Sequence, residues 1–286
     1  MSAKFGPAGN SQSFVDMGYK DSLDVPEYVA KMGLDAFEYQ CGRGVNIGRE
    51  KAEKLGELAK AKNIALSLHA PYYISMSSLE EEKRDKSVDY IMQSALAVSA
   101  MGGERIVIHA GSCGKQTREA ALSLALDTAK KAIAALDDAG LSHIRMCMET
   151  MGKINQLGDL NEVLTLCCLD ERMLPCIDFG HLNARTHGGL KTKADFEEIL
   201  NQIGNRLGVS RLNEFHSHFS KIEYSEGGEK RHLTFEDTVY GPDFLPLTEL
   251  VAKRNLSPTI ICESAGTQAE DALAMKMAYI SHGGLR

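Results

Sequence analysis

The 286-residue chain is 43% hydrophobic and 25% charged, ordinary proportions for a soluble globular protein and enough chain to bury a large core without staples. Its net charge of −7 argues against a broad basic face that coats nucleic acid, but leaves room for a local grip on a few phosphates through bound cations. No stretch approaches the roughly 18 apolar residues of a membrane span, and Met1 to Phe14 is polar and Gly/Ser-rich rather than a signal peptide, so a cytoplasmic protein is expected.

The first predicted strand, Ala3–Gly6, leads into Pro7-Ala8-Gly9, which does not follow the GxGxxG spacing of an open dinucleotide-binding sheet. A second strand over Ala36–Cys41 is followed by apolar residues at helical spacing over Glu50–Ala61. The same alternation continues through strand Ile64–His69 and helix Glu82–Met101, strand Arg105–His109 and helix Thr117–Ala139, and strand Ile144–Glu149 and helix Leu160–Cys168. Strand Leu174–Asp178 precedes helix Lys193–Ile203, strand Glu214–Phe219 precedes helix Phe244–Lys253, and strand Thr259–Glu263 precedes helix Gln268–Ile280. The polar stretch from Tyr224 to His232, with its Gly227-Gly228 pair, reads as a flexible loop. Eight strands alternating with helices predict an α/β fold, a (β/α)8 TIM barrel forming one domain over 1–286.

The strand ends carry the chemistry. Glu38 or Gln40, then His69, His109, Glu149, Asp178, His218 and Glu263 close successive strands, and from His69 onward the intervals are 40, 40, 29, 40 and 45 residues. All strand C-termini of a parallel barrel open on one face, so side chains this far apart in sequence converge there. Imidazoles and carboxylates together suit zinc-, manganese- and iron-class ions, and cations relieve the repulsion among converging carboxylates. Asp178 and His181 are three residues apart at the turn leaving the sixth strand, and His216 and His218 alternate at period two, so both face the interior. His232 closes the Gly-Gly loop, whereas His143, His187 and His282 read as surface residues. Seven cysteines without a CxxC spacing read as small buried hydrophobes.

The strand ends Leu68-His69-Ala70-Pro71-Tyr72, Val107-Ile108-His109-Ala110-Gly111, Met148-Glu149-Thr150, Ile177-Asp178-Phe179-Gly180-His181, His218-Phe219-Ser220-Lys221 and Cys262-Glu263-Ser264 resemble those of endonuclease IV. That family of apurinic/apyrimidinic endonucleases belongs to the xylose-isomerase-like barrels. The resemblance implies a site for up to three zinc ions, with manganese as the alternative metal, and DNA containing abasic sites as the partner. It implies that His69, His109 and Glu149 hold one ion, and that Glu149 bridges to a second held by Asp178, Glu263 and a histidine of the seventh strand. For that histidine the following Ser-Lys favours His216, while the superfamily's His-x-His usage favours His218, which is preferred here because it lies nearer the open strand end. The third ion falls to His181, His232 and a carboxylate, with Glu149 and Glu263 carrying catalysis. Tyr72, Arg43 and Lys221 are the expected substrate contacts.

Two departures stand out. Where the family has Asp-Arg-His, this chain has Glu229-Lys230-Arg231-His232, so Lys230 occupies the strict position of the Asp and Glu229 supplies a carboxylate only if the chain shifts by one residue. The first strand also lacks the family's Gly-x-His-x-Ser. A sugar isomerase or epimerase of the same superfamily is the alternative, with a single ion on Glu149, Asp178, His218 and Glu263 and the glutamates moving a proton between carbons. A metal-stabilised binding protein is a third class, which would have no open coordination position.

Overall fold

Parity along each strand decides which side chains enter the barrel. The computed structural model describes residues 2–285. Its parallel strands are β1 (Lys4–Pro7), β2 (Ala36–Gln40), β3 (Ala65–His69), β4 (Arg105–Ile108), β5 (Arg145–Glu149), β6 (Leu174–Asp178) and β7 (His216–Phe219). An antiparallel hairpin of β8 (Lys221–Ser225) and β9 (Gly228–Leu233) interrupts the pattern before the last parallel strand, β10 (Thr259–Cys262). The parallel sheet runs β1-β10-β7-β6-β5-β4-β3-β2, so β1 and β2 are its two ends. They meet through Asp35 N–H donating to the Phe5 carbonyl at 2.9 Å, Gly9 N–H to the Glu38 carbonyl at 3.0 Å, and a parallel bridge between Ala8 and Glu38. Gly6 makes this closure possible: a Cβ there would lie 1.8 Å from the Ala36 carbonyl oxygen. The TIM barrel expected from the alternation is the fold observed.

Outward residues such as Phe37, Leu68, Ile106, Met148 and Ile177 join the main core under the helices. Inward residues follow the other parity, with Val107, Cys147, Leu174 and Cys176 forming a small apolar cluster inside the barrel. The surrounding helices cover Arg49–Ala61, Glu81–Ala100, Arg118–Asp138, Leu160–Cys167, Lys193–Leu207, Leu245–Lys253 and Gln268–Ser281, each within a few residues of its expected place. Helix Leu160–Cys167 shows why such boundaries are legible: Asp159 accepts from Glu162 N–H, and Glu162 reaches back to Asp159 N–H, a reciprocal cap at the helix start.

The expectation fails in short elements. Helices at Val25–Lys31, Phe179–Arg185 and Val209–Asn213 are too brief for a periodic signal. The last of these displaces the start of the seventh strand, so Glu214 and Phe215 lie outside β7, and Glu214 instead accepts from Arg145 at 2.6 Å. The segment read as a flexible loop is the β8–β9 hairpin, turning at Glu226-Gly227 and docked on the loop after β5 by Glu229 N–H donating to Gly152 O at 3.1 Å.

Candidate metal centre

Glu149, at the end of β5 and 1% exposed, lies at the centre of four imidazoles. Its Oε2 lies 2.9 Å from His109 Nε2 and 3.2 Å from His69 Nε2, while its Oε1 lies 3.2 Å from His218 Nδ1 and 3.3 Å from His181 Nδ1. Three groups of donor atoms form around it, each with its members within 4.8 Å of one another: His69, His109 and Glu149; Glu149, Asp178, His218 and Glu263; and His181, Glu229 and His232. Each of the first two has the composition of a coordination set for one divalent ion, and Glu149 is common to both.

Hydrogen bonds behind the cluster orient the rings. His69 Nδ1 donates to the Ala70 carbonyl at 2.8 Å and His181 Nδ1 to the Thr150 carbonyl at 2.9 Å, which leaves the Nε2 lone pairs facing Glu149 and Glu229 respectively. The three-residue spacing of Asp178 and His181 is a helix cap: Asp178 Oδ1 accepts His181 N–H at 2.7 Å and starts helix Phe179–Arg185 directly from β6. The other oxygen, Asp178 Oδ2, is buried and accepts no hydrogen bond. Burial pushes this carboxyl up to about 6, against the opposing pull of His181. For Glu149 burial acts in the same direction, but His109 and His218 outweigh it and hold the carboxyl well below its ordinary range. An orphaned carboxylate oxygen among imidazoles fits a divalent cation, which would supply the missing positive partner.

The third donor group depends on a β-bulge. Glu229 and His232 are three apart, and in a regular strand they would point to opposite faces. In the hairpin Tyr224 pairs with Glu229 and Glu223 with Arg231, so Lys230 is the extra residue that resets the parity. Glu229 then reaches His181 Nε2 at 3.3 Å, and Lys230 turns away to Glu223 at 2.5 Å. Gly152 makes the space, since a Cβ there would stand 2.6 Å from Glu229 Cβ and 2.9 Å from His181 Cδ2.

The remaining expected residues separate by position. His216 lies two residues deeper than His218 on the same inward parity, fully buried, with Nε2 donating to Glu38 Oε2 at 2.9 Å. It stands under those three groups, in a deeper set of donor atoms with Cys176 and His218. Glu38 belongs to that lower layer too, and Gln40 accepts a hydrogen bond from the Tyr72 hydroxyl at 3.3 Å. Tyr72 is half exposed at the mouth, its ring 5.0 Å from that of His69 and 5.5 Å from that of His109. Two expected substrate contacts lie away from the cavity. Lys221 does not line the cavity: its ammonium, at the start of β8, is taken by the carbonyls of Phe235 and Asp237. Arg43 is exposed in the turn after β2 and does not border the cavity either.

That cavity, of about 360 Å³, is lined by the donor residues other than Asp178 and His218, together with Tyr72, Met151, Lys153 and Gln156. Lys153 is its one Lys or Arg among the described residues, and sequence reading missed it, although it follows Glu149 by four residues in a strand-end loop. Larger hollows of about 900 and 800 Å³ lie at the opposite rim, around Lys4 and Arg105, and between helices Arg49–Ala61 and Glu81–Ala100. Neither contains one of the donor groups.

Comparison with known proteins agrees with this architecture. The family described as "Xylose isomerase-like TIM barrel" matches residues 26–280. The chain is 32% identical to an uncharacterized protein of Methanocaldococcus jannaschii, over 95% of both sequences. It is 27% identical to a "probable endonuclease 4" of Staphylococcus saprophyticus, over 73% of this chain and 72% of that one. Among solved structures, endonuclease IV from Thermus thermophilus superimposes with a TM-score of 0.67 at 17% identity, covering 98% of each chain. A D-tagatose 3-epimerase-like protein gives 0.69 at 17% identity, covering 98% of this chain and 96% of the other. The chain belongs to the xylose isomerase-like TIM barrel family and is endonuclease IV-like in sequence.

Proposed function

We propose that this chain is a cytoplasmic, zinc-dependent phosphodiester hydrolase of the endonuclease IV type, a single barrel domain that nicks DNA 5′ to abasic sites in repair. The observation that carries the reading is the group His181, Glu229 and His232, formed beside the donors that a one-metal isomerase would need. His69, His109 and Glu149 would hold one ion, Glu149, Asp178, His218 and Glu263 a second, and His181, Glu229 and His232 a third. Bound divalent ions supply acidity to a water near neutral pH and neutralise charge on a phosphodiester. The residues supply the rest. Glu149 spaces the donor groups by offering one oxygen to each side. Glu263, more open than Glu149, orients the attacking water and receives its proton. Lys153 offers a cation to the phosphate, and the exposed ring of Tyr72 stacks in the gap left by a missing base. An abasic nucleotide suits a recessed cavity, because it leaves the stack at less cost than an intact one.

A second reading has its own support in the group Glu149, Asp178, His218 and Glu263, which is by itself a full ligand set for one manganese ion in a sugar isomerase or epimerase. One assay separates the two. Incubating the zinc-loaded protein with a duplex carrying one abasic site is expected to give a single nick, reduced by about a thousandfold in Glu149→Gln. An intact duplex alongside epimerisation of a small ketose would instead establish the isomerase.

A further inference from the structure

Beneath the three donor groups around Glu149 lies a second polar layer that those groups do not use. Glu38, in β2, is fully buried and surrounded by donors. Its Oε2 accepts from Ser67 Oγ at 2.9 Å and from His216 Nε2 at 2.9 Å, and its Oε1 accepts from Gln40 Nε2 at 3.4 Å. The same Oε1 stands 2.9 Å from His218 Nε2, without the alignment of a regular hydrogen bond.

His218 differs from its neighbours in which nitrogen it turns to the centre. His69 and His181 each donate from Nδ1 to a backbone carbonyl and present Nε2. His218 is reversed, with Nδ1 lying 3.2 Å from Glu149 Oε1 and 3.5 Å from Glu263 Oε2. Among the described residues no backbone carbonyl accepts from its Nε2; the near oxygen is that of Glu38. Both ring nitrogens face a carboxylate: Nδ1 is aligned for a hydrogen bond to Glu149 Oε1 at 3.2 Å, while Nε2 stands closer to Glu38 Oε1, at 2.9 Å but poorly aligned. Glu149 is already approached by His69, His109 and His181, whereas the near oxygen of Glu38 has only Gln40 at 3.4 Å besides His218, so Glu38 is the better claimant for the one proton of the neutral ring, and Nδ1 is left to ligate.

We propose that Glu38 is a positioning residue that fixes His218 in its Nε2–H tautomer and so presents Nδ1 to the ion shared with Glu149, Asp178 and Glu263. This rests on reading the strand-end cluster as a divalent-metal centre. Three features make Glu38 suited to the part. It is shut off from water, so no solvent competes for its oxygens. Ser67 and His216 fix its second oxygen, so the first cannot swing away from His218. It also belongs to β2, on the far side of the barrel from β7, so the contact ties the orientation of the ligand to barrel closure.

The test compares the wild-type chain with Glu38→Met, which removes both acceptors at similar volume. Long-range proton–nitrogen NMR of the metal-free proteins, at a pH where the ring is neutral, reads which nitrogen of His218 carries the proton; His218→Asn identifies the signal. Equilibrium dialysis against zinc reads the affinity of each bound ion, and thermal unfolding of the metal-free chains checks the fold. We expect Nε2–H in the wild type, a shift toward Nδ1–H in Glu38→Met, and one zinc equivalent weakened about 10- to 100-fold while the others are retained. If Glu38→Met does not fold, Glu38→Asp, which withdraws the carboxylate but keeps its charge, undergoes the same measurements with the same expected shift. A wild-type ring protonated on Nδ1, or a folded variant with unchanged tautomer and unchanged zinc affinities, would overturn the role of Glu38. A wild type that takes up no zinc would instead remove the proposed function, while the ring protonation would still decide what Glu38 does.

Discussion

On the proposed reading, single residues at the mouth divide the labour between holding ions and holding substrate. Lys153 is the clearest case of the second kind: it lines a cavity otherwise furnished with carboxylates and imidazoles, and no carboxylate forms an ion pair with it among the described residues. A cation left unpaired there has an anionic substrate group as its natural partner. Lys153→Gln should therefore raise KM for an abasic duplex several-fold and lower the salt slope of binding by about one, with metal content unchanged. Steady-state kinetics and binding across a salt series measure both. A change in kcat with no change in KM or salt slope would assign Lys153 some other task.

At the scale of elements, the hairpin decides whether the third donor group exists. The sequence alone sets Lys230 against the resemblance, and only the bulge shows how Glu229 and His232 come to the same face. Glu229→Ala should lose or weaken one bound ion by at least about tenfold, and Lys230→Ala, which removes an ammonium paired with Glu223, should leave metal content as it was. Zinc titration followed by elemental analysis separates them; equal effects would place the carboxylate elsewhere. The long helices and the strands were legible because their periodicity persists over many residues, and the ligand positions because parallel strands bring their ends together by topology. The bulge was not legible, since an inserted residue in a short hairpin leaves no periodic trace. Nor were the partners of Lys221, which hold it by backbone carbonyls, or the buried links of Glu38 to His216 and His218, which are set by distances across the barrel. The choice between His216 and His218 needed depth along β7, which period-two alternation does not distinguish because both face inward.

At the scale of the whole molecule, the barrel gathers Glu149, Asp178, Glu229 and Glu263 at one rim, although the chain as a whole is acidic. Without cations the ionised form of Asp178 in this arrangement opposes folding. The Asp178 carboxyl, pushed up by burial to about 6 from an ordinary value of 3.8, favours the folded state while protonated and loses that contribution as pH rises from 3.8 through 6. Divalent metal should therefore stabilise the protein more at pH 7.5 than at pH 5, seen as a larger zinc-dependent rise in Tm at the higher pH. An equal rise at both would mean that no ionised carboxylate is being satisfied. The claim beneath all of this is that the strand ends form a multinuclear divalent-metal centre, and the metal content of the purified, zinc-equilibrated chain tests it most directly. The account predicts about three ions per chain; one ion or none would contradict it.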